Sequence, residues 1–149
     1  MGVFQPANPD FEARVRDSFA RQPFMAFIGA EIAVVEPGFC EIHLPYRAEL
    51  TQQHGYMHGG ALATLADNAA GYAAFSLIPA DASVLTVEYK LNIMRPGLGD
   101  RMKARGKVIK AGRTITVVEA NVFGSDDGKE VMCVTSIQTI MALHGRDDR

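Results

Sequence analysis

The chain has 149 residues, 48% hydrophobic and 21% charged, which suits one folded domain of ordinary size and is too apolar for a disordered one. A formal net charge of −2 argues against a general nucleic-acid binder, which carries a basic excess. Cys40 and Cys133 offer neither a disulfide framework nor a metal-ligand spacing, and fit a reducing compartment.

The first six residues lack the basic-then-apolar pattern of a secretory signal. The longest apolar stretch, about 59–80, is mostly alanine and glycine and contains Asp67 and Asn68, so no membrane span is expected. The expectation is one cytoplasmic domain.

Residues 10 to about 21 read as a short amphipathic helix. Asp10 follows Pro9 as its cap, and Phe11, Val15, Phe19 and Ala20 recur at helical spacing. Pro23 interrupts it, and Phe24, Met25, Phe27 and Ile28 form an apolar connection. Residues 31–46 are predicted as strand, turn, strand, broken at Glu36-Pro37-Gly38. A polar, irregular stretch at 47–57 precedes His58-Gly59-Gly60. An alanine-rich helix then runs to about residue 77, apolar around nearly its whole circumference and so predicted to be buried on most sides.

After Pro79 the period becomes two. Leu85, Val87, Tyr89, Leu91 and Ile93 are predicted on one face of a strand, with Thr86, Glu88, Lys90 and Asn92 on the other. Strands at 102–109, 114–123 and 131–141 follow, separated by turns at 96–100, 111–113 and 125–128, with a short disordered tail from about 143. The expected class is α+β, an antiparallel meander curving around one buried helix.

Polar side chains on an apolar helix are costly unless paired, so Asp67 and Asn68 need a role. Asp67 either caps or hydrogen-bonds a neighbouring loop or is a catalytic carboxylate. At the helix start, two glycines leave backbone N–H groups and the positive dipole end unobstructed. That arrangement can polarise a carbonyl and hold an oxyanion, although glycine there can equally serve close packing. Gly59 and Asp67 are eight residues apart, about 12 Å along a helix. A donor and a base acting on one carbonyl must lie within about 3–3.5 Å of the reacting atoms. One helix cannot supply both to one substrate. A catalytic reading therefore predicts an obligate dimer with two shared sites.

Other constellations carry less. His54 and His58 have a glycine between them and no third local ligand, so no metal is expected. There is no Gly-x-Ser-x-Gly elbow, and no helix follows Gly97-Leu98-Gly99. Arg101, Lys103, Arg105 and Lys107 alternate onto a face read as solvated, leaving Lys110 and Arg113, beside glycine, as candidate phosphate contacts. His43 and His144 have no identifiable partner.

The segment from Gln52 to Asp67, QQHGYMHGGALATLAD, resembles the signature of hotdog-fold acyl-CoA thioesterases. The nearest branch is the phenylacetate-pathway (PaaI-like) group of the 4-hydroxybenzoyl-CoA thioesterase superfamily. The pattern is an amide residue, a glycine three later, His-Gly-Gly, and an acid eight residues after the first glycine of that pair. The likeness continues through 86–90, 94–96, 99–100 and 110–114, and spans roughly residues 30–141.

The resemblance implies a hotdog fold, an antiparallel sheet wrapped around the long helix. It implies Asp67 as nucleophile or general base toward a thioester and the Gly59 N–H as the group that polarises its carbonyl. His58 and Gln52 would orient the carbonyl, the water or the thiolate, and Thr86 matches a hydroxyl that places the attacking water. Gly60 and Glu88, Arg95 and Pro96, and Lys110, Gly112, Arg113 and Thr114 match positions that contact the substrate and its coenzyme A. The coenzyme A thioester is then the substrate, with no separate cofactor. The partner is a second copy of the chain, and tetramers through sheet faces are usual among relatives. Many relatives carry Asn where this chain has Gln52, and the 4-hydroxybenzoyl-CoA branch pairs Gln with Glu in place of Asp67. The acyl group, a small aryl or a medium chain, is left open, its pocket expected from the central helix, the 24–28 segment and the partner subunit. A non-hydrolytic acyl-CoA binding module and a hydratase using His58 with Asp67 are the alternatives.

Overall fold

Pro23 begins a helix as well as ending one. In the computed structural model, which describes residues 4–146 and 148, α1 (Phe11–Ala20) is followed by α2 (Pro23–Ile28). Pro23 occupies the start of α2, and Gly29 closes it in the left-handed conformation at φ 78°. Proline is preset for a first helical position and glycine for the residue after the last, so the connection expected at 24–28 is helical. Asp10 sits at the N-cap of α1 without a side-chain bond there; its own N–H donates to Asn8 Oδ1 at 3.1 Å.

The long helix α3 (Gly59–Phe75) packs against a six-stranded antiparallel sheet. Its strands are β1 (Glu31–Glu36), β2 (Phe39–Pro45), β3 (Ala82–Ile93), β4 (Arg101–Lys110), β5 (Ile115–Asp126) and β6 (Lys129–His144). Ile42, Leu44, Met102, Ala104, Val118, Val122, Val134 and Ile140 bury one face of the sheet, and Leu65, Ala66, Ala69, Ala70 and Ala73 bury the helix. Small residues set the spacing. A Cβ on Gly106 of β4 would stand 2.1 Å from the Ala69 carbonyl oxygen, so helix and strand meet backbone to backbone there. This is the α+β hotdog architecture that the sequence led us to expect.

The strand order is not a simple meander. It runs β1-β2-β4-β5-β6-β3, so β3 lies at the far edge, paired with β6, and does not neighbour β4. The connection at 94–100 is longer than a tight hairpin needs. It crosses the end of the sheet, where Met57 N–H donates to Gly97 O at 3.1 Å and Ser125 N–H to Leu98 O at 2.8 Å.

β3 also carries a bulge between Thr86 and Glu88. Opposed residues share a face. Thr86 opposes buried Ile140, while Tyr89, Leu91 and Ile93 oppose buried Gln138, Ser136 and Val134. Thr86 therefore lies on the helix side with Tyr89, Leu91 and Ile93, and Leu85 lies on the outer side with Glu88, Lys90 and Asn92. The strict alternation predicted from sequence fails because one extra residue resets the phase.

β6 continues to His144, which opposes Ala82 and donates from Nε2 to Arg113 O at 2.8 Å. The tail expected from about 143 thus starts inside a paired strand. Asp148 accepts from Arg21 at 2.8 Å, and residues 147 and 149 lie outside the described residues.

Candidate active site

α3 turns Asp67 toward β3, and the bulge turns Thr86 to meet it. Thr86 Oγ1 donates to Asp67 Oδ1 at 2.7 Å. The partner is a strand hydroxyl, which corrects the alternative in which Asp67 caps a loop. Burial pushes the Asp67 carboxyl above the ordinary aspartate value, and the Thr86 bond offsets part of that rise. Oδ2 makes no hydrogen bond among the described residues. Asn68 is satisfied within the helix, donating to Thr64 O at 3.2 Å. Asp67 and Thr86 line a crevice of about 650 Å³ between α3 and β3, with Tyr72 on α3, Ser18 on α1, and Arg21 and Gln22 in the junction between α1 and α2.

The helix start is less open than the sequence suggests. His58 is the N-cap, with extended backbone (φ −61°, ψ 137°), and its Nδ1 accepts from Gly60 N–H at 2.9 Å. The Gly60 donor is therefore occupied, and the His58 ring proton sits on Nε2. Gly59 N–H has no acceptor among the described residues. Close approach also explains this glycine, since a Cβ would stand 2.8 Å from Ile93 Cδ1. Gly59 lines a second crevice of about 350 Å³ with Gln52, Tyr56, Arg95 and Pro96. Gln52 Oε1 is committed to its own loop, accepting from His54 N–H, which leaves Nε2 as the side chain's donor.

Within one chain, the predicted site residues fall into two groups. Asp67 and Thr86 belong to the first crevice, and Gln52, Gly59, Arg95 and Pro96 to the second. The 110–114 turn stands at the end of the sheet where β3 begins. Ala142 N–H donates to Thr114 O at 2.8 Å there, and Ala142 opposes Val84. Glycine shapes this turn, because a Cβ on Gly112 would meet Ile115 O at 2.5 Å. Lys110 and Arg113 are exposed beside it. Arg95 stands where β3 ends, donating from Nη1 to Met132 O at 3.2 Å. Glu88 faces outward and accepts from Thr139 Oγ1 at 3.1 Å.

Several expectations about the surroundings change. Phe24 and Phe27 do not line the Asp67 crevice; both are exposed, and α1 takes that place. Ser18, a polar residue on the buried side of amphipathic α1, and Gln22, two residues past its end, were the available signal. His43 does have a partner, Glu41, at 2.6 Å. Arg105 joins Glu41 at 2.6 Å and Glu130 at 2.5 Å, so part of the cationic face of β4 is locked in ion pairs. Burial pushes the Cys40 thiol up to about 12 and raises Cys133 as well, which makes both poor nucleophiles. Among the described residues, no three His, Cys, Asp or Glu converge to hold a metal, and no helix is long and apolar enough to cross a membrane.

Residues 54–131 match the profile of the thioesterase superfamily. A Saccharolobus solfataricus protein named as a candidate esterase is 33% identical over 103 residues, covering 69% of this chain and 72% of the relative. Escherichia coli acyl-coenzyme A thioesterase PaaI is 31% identical over 97 residues, covering 64% of this chain and 66% of its own. The crystal structure of a thioesterase family protein from Silicibacter pomeroyi superposes with a TM-score of 0.89 at 49% identity, over 91% of this chain and 99% of that one. The matched segment includes the open helix start, the acid on that helix and the bulged strand that meets it. The chain belongs to the thioesterase superfamily and is a thioester hydrolase of the hotdog fold.

Proposed function

We propose that the protein hydrolyses acyl-CoA thioesters and that each active site is assembled from two copies of the chain. One observation carries this reading: the Asp67–Thr86 pair and the unoccupied Gly59 N–H lie in different crevices, near opposite ends of one exposed strand. Gly59 N–H, at the positive end of α3, polarises the thioester carbonyl and stabilises the oxyanion. Asp67 of the other protomer takes a proton from water as the water adds to the carbonyl carbon. Collapse of the oxyanion breaks the C–S bond, and the proton passes to the departing thiolate. A carboxyl held above its ordinary value is a stronger base than a free aspartate.

β3 is the natural contact between copies. It is an edge strand with an unpaired ladder, and Leu85, Val87, Tyr89 and Ile93 are 53, 54, 48 and 52% exposed. Antiparallel pairing about a two-fold normal to the sheet keeps each residue on its own face. With Tyr89 opposite the partner's Tyr89, Glu88 meets the partner's Lys90 in both directions. Moving the axis to Lys90 would oppose like charges. The beginning of one β3 then meets the end of the other. Asp67, Thr86 and the 110–114 turn of one chain join Gly59, Gln52 and the Arg95-Pro96 corner of its partner. Arg95, Lys110 and Arg113 supply cations for the phosphates of coenzyme A.

Tyr89→Cys is expected to form an inter-chain disulfide on mild oxidation, seen by non-reducing electrophoresis. Directly opposed residues lie about 4.5–5.5 Å apart, within disulfide reach. Leu85→Cys, off the axis, is the control, and failure of Tyr89→Cys to cross-link would remove this register. Thiol release from a panel of acyl-CoAs tests the reaction itself. Saturable binding without release would instead favour the binding module, whereas hydration of an enoyl-CoA would favour the hydratase.

A further inference from the structure

We infer that the seam between two copies is locked by a crossed pair of hydrogen bonds, each Tyr89 hydroxyl donating to Oε1 of the partner's Gln138. The inference rests on the reading that β3 edges pair about Tyr89. Gln138 of β6 is 1% exposed, on the helix side of the sheet. Its Nε2 donates to Ser136 Oγ at 3.0 Å, and that hydroxyl donates to Ala120 O at 3.0 Å. Oε1 is sealed from water and accepts nothing among the described residues. An amide oxygen stripped of water without a replacement donor is destabilising, so the assembled protein needs one there.

The surroundings within one chain offer little. Gln138 opposes Val118 on β5 and Tyr89 on β3. Its buried neighbours along that face of β6 are Ile140 and Ser136, whose proton is already committed. Above the sheet, α3 presents buried Ala66, Ala69 and Ala70, whose N–H groups belong to the helix ladder. Tyr89 differs from all of these. It is 48% exposed, and its hydroxyl has no partner among the described residues.

Length decides which Tyr89 serves. Neighbouring strands lie about 4.8 Å apart, so a tyrosine directly opposite carries its hydroxyl past the glutamine head. The partner's Tyr89 stands two spacings away, about 9.6 Å, a gap the two side chains bridge when laid toward each other. The two-fold makes this bond twice, with the rings passing side by side at the axis. Each Gly59 meets the partner's Asp67, so the two α3 helices run antiparallel with residue 63, their midpoint, over the axis. That residue is alanine, small enough to roof two offset rings.

The test is a double-mutant cycle on dimer dissociation, followed by analytical ultracentrifugation over a dilution series, with thiol release measured on the same samples. Tyr89→Phe keeps the ring but strands two acceptors. It is expected to raise the dimer Kd about a hundredfold, about tenfold for each bond. Adding Gln138→Leu to Tyr89→Phe removes donor and acceptor together and is expected to bring Kd back within about fivefold of wild type. An unchanged Kd in Tyr89→Phe, or the same effect of Tyr89→Phe with and without Gln138→Leu, overturns the bonds. Mixing Tyr89→Phe chains with Gln138→Leu chains tests the crossing. Crossed bonds leave the mixed dimer with one bond intact and no stranded acceptor, so it is expected to hold more tightly than Tyr89→Phe with itself. A mixed dimer no tighter than that overturns the crossing. If Tyr89→Cys still cross-links, either failure removes only these bonds and leaves the β3 pairing. Dissociation on dilution without loss of thiol release would instead reject the shared active site and keep the seam.

Discussion

Asp67→Asn is expected to lose about 10²–10⁴ of turnover, the usual worth of a positioned acid or base, while gaining stability at neutral pH. The two effects have one cause. Burial raises the Asp67 carboxyl in the folded state above its value in the unfolded chain. Between those two values the folded protein binds more protons than the unfolded one, so stability falls as pH rises through that window. Above it, the native state carries the cost of a half-buried charge, and the amide removes that cost while still accepting from Thr86 Oγ1. Thermal melts with thiol-release assays check this: the variant's higher Tm at pH 7 shrinks toward wild type as the pH falls through the window. The acid limb of the wild-type pH–rate profile lies above that of an ordinary aspartate. In Thr86→Val it moves higher still, because the lost bond is the one that lowers the carboxyl. Retained turnover in well-folded Asp67→Asn would end the role given to this carboxylate.

The sequence carried the composition of the fold better than its connections. Alanines and glycines on α3 announced a helix pressed against a sheet, and Gly106 against Ala69 is that contact. Strand order was hidden, because local periodicity says nothing about which edge a strand joins, and β3 travels to β6 rather than to β4. The site was legible where chemistry and spacing coincide, as in the separation of Gly59 from Asp67. It was illegible where one residue shifts the phase: alternation put Thr86 with Glu88, and the bulge alone turns that hydroxyl onto Asp67. His58 shows the same limit at closer range. An imidazole beside two glycines suggested chemistry, whereas its Nδ1 serves as the helix cap. The hydroxyl cluster of Ser18 and Tyr72 escaped notice because its members are 54 residues apart and meet only through packing of α1 on α3.

Whether two chains build one site can be decided with a second lesion at the other end of the helix. Gly59→Pro deletes the N–H in question with little else disturbed. Proline is tolerated at a first helical position, and His58 already has the extended backbone that a residue before proline requires. The neighbouring Ile93 Cδ1 is the tip of a flexible side chain and can move. Loss of an oxyanion donor predicts a fall of about 10²–10³ in kcat. Asp67→Asn and Gly59→Pro chains are then co-expressed and their heterodimer isolated with two affinity tags. If each site takes Asp67 from one chain and Gly59 from the other, one site of the heterodimer receives both lesions and its mate receives neither. Turnover is expected to return to about half that of the wild-type dimer, although both parent homodimers are crippled. A site contained in one chain cannot be rescued this way, since each chain carries its own defect wherever it pairs. A heterodimer as slow as its parents would therefore break the link between the exposed β3 edge and catalysis, even if both single variants behaved as described.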